Sequence, residues 1–201
     1  MFRNSRQGYG LISILLHWSM AIAVLGLFGL GLYMVELTYY DPLYRTLPSL
    51  HKSIGLTVAA LWVVRLVWRM IDPPPAPLGT VAWQNRLAHV VHGLLYLLML
   101  GLFVSGYLIS TADGRPIVVF GLFEVGASLT LPRQEDVAGA VHAILAWTLI
   151  GLTGLHALAA VKHHVIDRDA TLRRMLRPVT RATCDSLNSN NTTTNHERNM
   201  S

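Results

Sequence analysis

Residues 137–165 read VAGAVHAILAWTLIGLTGLHALAAVKHHV, and this stretch decides the fold. It is an apolar run without a single acid, and it exceeds the roughly 20 residues a helix needs to cross a bilayer core. Of its four imidazoles, two, His142 and His156, stand well inside it, and His163 and His164 lie at its end. Three blocks of the same kind lie upstream, at about 11–35, 50–71 and 87–110. With 52% hydrophobic and 13% charged residues in a chain of 201, the composition is not that of an average soluble domain. The four blocks take about half the chain and leave no sizeable soluble domain. The expected fold is all-α: an integral membrane four-helix bundle.

The first block carries Ala21-Ile22-Ala23, which imitates a signal-peptide cleavage site, but the apolar run continues through Val35. It reads as a retained anchor. Cys184, the one cysteine, lies in the polar tail, so no disulfide framework is available, and Cys-x-x-Cys-His for covalent haem attachment is absent.

The net charge of +5 gains meaning when mapped onto the connections. The N-terminal arm, the second connection and the C-terminal tail hold 12 of the 16 basic residues, among them Arg3, Arg6, Arg69 and Arg173. The opposite side holds Arg45, Lys52, Arg115 and Arg133 beside six acids. The positive-inside rule places both termini in the cytoplasm. Basic residues beside a span are read as lipid-facing, with no nucleic acid as partner.

Pro73-Pro74-Pro75-Ala76-Pro77 cannot be helical and makes the second connection a stiff turn. The first connection contains Pro42 and Pro48. The third is long, and its apolar stretch Ile117–Phe123 is too short to span, so it is expected at the interface or capping the bundle. Residues 1–178 form the four-span domain, while 179–201, rich in Asn, Thr and Ser, are expected to be a disordered cytoplasmic tail. Trp18, Trp68 and Trp83 mark the inner boundary, and Tyr33, Tyr39, Tyr40 and Tyr44 the outer one.

Eight of the nine histidines fall in or beside the blocks: His17, His51, His89, His92, His142, His156, His163 and His164. Polar groups inside spans are costly and mark function. His142 and His156 are 14 residues apart, hence about 40° apart around one helix and about 21 Å apart along it. Depth then pairs the rest. Helix 1 runs outward with His17 near its inner start, helix 2 runs inward with His51 at its outer start, and helix 4 also runs inward. The level pairs are His51 with His142 on the outer side and His17 with His156 on the inner side. Each pair suits a haem iron held by two imidazoles, which leaves no open position and favours electron transfer over oxygen chemistry.

Zinc is the rival for the same ligands, since a tetrahedral site takes three or four at one depth. The outer level offers two; the inner level adds His89, His92, His163 and His164, and there the alternative stays open. His89 and His92, spaced i, i+3, are candidates for the inner iron in place of His17, or for quinone or haem propionate. Arg65 follows His51 by 14 residues, on nearly the same face and about 21 Å deeper, level with the inner pair. Its guanidinium can pair with haem propionates or snorkel to the interface. Lys52 stands in the same relation to the outer pair.

These residues resemble the bacterial cytochrome b-561 family and, more broadly, the membrane cytochrome subunits of hydrogenases and formate dehydrogenases. The matching motifs are Ser-Ile-Leu-Leu-His17-Trp, His51-Lys-Ser-Ile-Gly with Val-Val-Arg65-Leu, Ala-His89-Val-Val-His92-Gly-Leu-Leu-Tyr, and His142/His156 with Lys-His163-His164. The resemblance covers about residues 8–178. It implies two b haems ligated by histidines of helices 1, 2 and 4, and electron exchange with ubiquinone or another quinone. Some members are similar to enzymes that oxidise superoxide and reduce ubiquinone. The leading expectation is therefore a di-haem oxidoreductase passing electrons from a one-electron donor such as superoxide to membrane quinone. One alternative is a cytochrome b anchor and electron conduit for a dehydrogenase or hydrogenase. Another, from a different class, is a haem-free, histidine-rich metal transporter.

Overall fold

The computed structural model of the protein describes residues 1–78 and 82–178. The tail expected at 179–201 lies outside the described residues. In chain order the elements are α1 (Leu11–Met34), α2 (Thr46–Ile71), α3 (Ala82–Ser110), β1 (Ile117–Val119), β2 (Phe123–Val125), α4 (Gln134–Val165) and α5 (Thr171–Leu176). α1 to α4 are each long and apolar enough to cross a membrane. Large apolar side chains in mid-helix face outward, Leu97 at 63% and Ile144 at 66% exposure. Acyl chains, rather than protein, would cover such a surface.

α2, α3 and α4 begin three to five residues before their apolar blocks. Pro48 sits in the first turn of α2, where a missing N–H costs nothing because those donors have no helical partner. In the first turn of α4, Glu135 and Asp136 face the positive end of the helix dipole. Gln134 ties that turn down, accepting from the Leu131 N–H at 2.8 Å and donating to the Leu108 carbonyl at 2.8 Å.

The chain groups into two compact units. The larger takes Ser19–Val64 and Gly79–Ala159, with parts of all four long helices. There α1 meets α4 through Phe28 and Trp147, with ring centroids 5.0 Å apart. α2 meets α3 through Trp62, whose ring lies 6.0 Å from those of Tyr96 and Phe103. A Cβ on Gly101 of α3 would stand 2.9 Å from Leu145 of α4, so the two helices approach closely there.

The apolar stretch of the long connection folds as an antiparallel hairpin, with Ile117 opposite Val125 and Val119 opposite Phe123. Three-residue strands alternate too briefly to register in sequence. Ile117 and Val119 are buried, whereas Val118 points outward. The turn places Phe120 (φ 48°) and Gly121 (φ 72°) in the left-handed region. For a phenylalanine that costs on the order of 1 kcal/mol. The Phe120 N–H donates to Ser53 Oγ of α2 at 3.0 Å, which holds the turn in place. Ser53 is buried and donates in turn to the Ser49 carbonyl at 2.9 Å.

The smaller unit takes Met1–Trp18, Arg65–Leu78 and, among the described residues, 160–178. The N-terminal arm folds back over the start of α1: the Leu11 and Ile12 N–H groups donate to the Met1 and Phe2 carbonyls. Two donors that open a helix without partners are satisfied this way. Gly10 permits the approach, since a Cβ there would run into the backbone of Phe2 and Arg3. The arm is fastened to Asp72, whose carboxylate accepts from the Asn4 N–H at 2.8 Å and whose carbonyl accepts from the Asn4 amide at 2.9 Å. α5 joins the same unit, its Met175 carbonyl accepting from Trp18 Nε1 at 2.8 Å.

Candidate haem sites

His51 on α2 and His142 on α4 face one another with ring centroids 6.4 Å apart and planes at 69°. Two imidazoles on opposite sides of one metal, each bonded through a nitrogen at about 2.0 Å, have centroids roughly 6.3 Å apart. The observed spacing leaves room for one iron between them. Both rings are half-buried. Nδ1 of His51 is buried with no hydrogen-bond partner among the described residues.

Each ring rests in a notch that glycine provides. A Cβ on Gly31 of α1 would stand 3.4 Å from Cε1 of His51. One on Gly106 of α3 would stand 3.2 Å from Cε1 of His142, tighter than ordinary contact. Beside Gly106, Ser105 is buried, and its Oγ lies 3.0 Å from Nδ1 of His142. α3 thus supports the pair without contributing a ring. Gly31 is one of three glycines of α1, with Gly26 and Gly29, a run of small residues that permits close approach. Ser105 and Gly106 carry no such signal; only the rotation of α3 against α4 shows them.

Fourteen residues further along α4, His156 has His92 of α3 as neighbour, with centroids 5.1 Å apart and planes at 73°. That separation is shorter than the roughly 6.3 Å that opposite ligation of a single metal requires. His92 and His156 are thus direct neighbours across α3 and α4. His89 is exposed, and its Nδ1 donates to the Asn85 carbonyl of its own helix at 2.6 Å.

In the smaller unit, Nη2 of Arg65 lies 3.0 Å from Nδ1 of His17, and Nη1 donates to the Leu16 carbonyl at 3.5 Å. A guanidinium has only donors, so Nδ1 of His17 is the acceptor here. Arg65 is thus turned toward α1, in contact with a candidate ligand rather than extended to the membrane surface.

The remaining sequence candidates fall elsewhere. Lys52 is half-buried and His164 exposed. His163 meets two carboxylates after α4: Asp167 at 2.8 Å and Asp169 at 3.1 Å. Their ligand atoms lie within 4.8 Å of one another, the spacing of a metal site. Lys162, however, places its ammonium 2.6 Å from the same Asp167 oxygen. The cluster therefore already contains a cation, and it ties off the end of α4. Burial alone would raise the Asp169 carboxyl, but hydrogen bonds from Thr171 and the nearby His163 ring hold it below the usual range.

A shallow cleft of about 430 Å³ opens beside the first turns of α2, lined by Arg45, Thr46, Ser49, Leu50, Ser53 and the Phe120–Gly121 turn. It flanks the helical turn that bears His51.

A family model described as prokaryotic cytochrome b561 matches residues 8–178, most of the chain. Cytochrome b561 homolog 2 of Escherichia coli is 51% identical over 177 residues, covering 87% of this chain and 94% of that protein. A protein of Yersinia pestis named probable superoxide oxidase CybB is 30% identical over 176 residues, covering 84% of this chain and 95% of its own. Cytochrome b561 homolog 1 of Escherichia coli is 34% identical over 140 residues, 66% of this chain and 76% of that one. With the four long apolar helices and the facing imidazoles, these matches make the chain a member of the prokaryotic cytochrome b561 family, multi-pass bacterial membrane proteins that transfer electrons through haem b.

Proposed function

We propose that the chain holds two b haems and passes single electrons from a donor outside the cytoplasm to membrane quinone. The observation that carries this reading is the 6.4 Å spacing of the His51 and His142 rings, which suits one iron held from both sides. The second haem falls to His156, about 21 Å along the same helix, with His17 as its partner. His17 is preferred to His92 because helix direction puts His17 and His156 at the same depth; His92, next to His156 on α3, is the alternative. The excess of basic residues in the N-terminal arm, the second connection and the C-terminal tail supports a bacterial inner-membrane topology with both termini in the cytoplasm.

Bound haem supplies reversible one-electron storage, and two such stores match a two-electron acceptor such as ubiquinone. The chain's own residues fix the rest. His51 and His142 would hold the outer haem through two imidazoles, a ligand set that favours electron transfer over oxygen chemistry. Arg45, at the cleft beside His51, offers a positive charge to an approaching anion. A relative named probable superoxide oxidase supports superoxide as that anion. His92, adjacent to His156, is placed to exchange protons with a quinone, whose full reduction consumes two. Arg65 carries a charge that haem propionates would meet; its contact with Nδ1 of His17 puts that ring's proton on Nε2, so the contact must be exchanged for the propionate before His17 can ligate iron through Nε2. Lys52 and His89 remain candidates for propionate or quinone contact.

The test uses the purified full-length chain in liposomes containing ubiquinone. Superoxide generated outside should reduce the haem bands and then produce quinol. Haem that stays oxidised under superoxide, while dithionite reduces it, would remove superoxide as donor. Haem that reduces without quinol formation would remove quinone as acceptor.

A further inference from the structure

The geometry points to Ser105 as the positioning residue that fixes the tautomer of His142 and lowers the reduction potential of the haem it holds. The inference rests on the reading of His142 as an axial ligand. Ser105 Oγ lies 2.8 Å from the Gly101 carbonyl and 3.2 Å from the Leu102 carbonyl of its own helix. A serine hydroxyl has one proton, and these carbonyls can only accept, so the proton points to them. Toward His142, 3.0 Å away, the oxygen can then only accept. Nδ1 of His142 must carry the hydrogen, and the Leu102 carbonyl, to which the ring is also hydrogen-bonded, reinforces Ser105 in holding it there; Nε2 keeps its lone pair free for iron.

Gly106 completes the arrangement. A Cβ there would stand 3.2 Å from Cε1, so its absence lets the α3 backbone lie alongside the ring edge. Ser105 is 4% exposed, so water does not compete for the bond. An Nδ1–H that donates to a fixed oxygen makes imidazole a stronger electron donor through Nε2. A stronger donor favours the ferric over the ferrous state. The iron takes up one electron on reduction, and the Nδ1 proton stays on the ring in both states. His51 differs, since its buried Nδ1 has no hydrogen-bond partner among the described residues. The chain therefore tunes this haem from the α4 side.

The test compares wild-type holoprotein with Ser105→Ala and Ser105→Thr by haem content and optical redox titration. Ser105→Ala should keep two haems and raise the midpoint of one by about 59 mV, a tenfold change in its reduction equilibrium. The other midpoint should not move. Ser105→Thr, which restores an accepting oxygen, should return the midpoint toward wild type. Loss of one haem in Ser105→Ala but not in Ser105→Thr would also support the role, because the hydroxyl is what the alanine lacks. Two retained haems with both midpoints unchanged in Ser105→Ala would overturn it, as would equal loss from both variants. A His142→Ala control that keeps two haems would instead sink the ligand assignment beneath it.

Discussion

The rings of His51 and His142 stand 6.4 Å apart, centroid to centroid, although 90 residues of chain separate them. Neither α2 nor α4 alone could place them so. The spacing needs α1 and α3 on either flank, with Gly31 and Gly106 giving each ring its notch.

If the notch at Gly106 matters, filling it should dislodge the ring. Gly106→Val puts a branched side chain where even a Cβ would be tight, and His142 would have to shift by several tenths of an ångström or more. We expect one haem per chain to be lost or weakly held, measured as the pyridine haemochrome-to-protein ratio. Gly31→Ala, with 3.4 Å of clearance to His51, should keep both haems.

The partner of His156 is decided by comparing two helices. His17→Ala should leave one haem per chain, whereas His92→Ala should leave two and slow quinone reduction instead. The reverse pattern would transfer the ligand from α1 to α3.

Ser53 holds the hairpin turn to α2 through the Phe120 N–H. Ser53→Ala strands that buried donor, at a cost of about 1–3 kcal/mol. A lower Tm in detergent and faster proteolysis within 117–125 are expected, with haem content unchanged.

Asp72 fastens the N-terminal arm by its carboxylate, 6% exposed and bonded to the Asn4 N–H. Asp72→Ala removes a charged hydrogen-bond acceptor worth about 1.5–3 kcal/mol. Hydrogen exchange at Asn4 and Leu11 should accelerate, while amides of α3 remain protected.

The sequence reading located the four spans because long apolar runs need no tertiary context to be recognised. It also paired His51 with His142 from depth alone, since helix rise and chain direction fix which residues share a level. Local context hid the rest. Pro48 reads as a loop residue, yet a first helical turn tolerates it. The hairpin strands are three residues long and show no usable period. Ser105 gives no sign of its contact with His142, because a serine in a span more often bonds only its own helix, as this one also does. The approach of His92 to His156 depends on how α3 is rotated, which helical arithmetic on α4 does not set.

The most direct test of the paired-imidazole account is haem stoichiometry in His51→Ala, His142→Ala and the double variant, read by pyridine haemochrome and by redox titration. If the two rings grip one iron, all three proteins carry one haem per chain with the same remaining midpoint. A double variant with no haem, or single variants that both retain two, would contradict it.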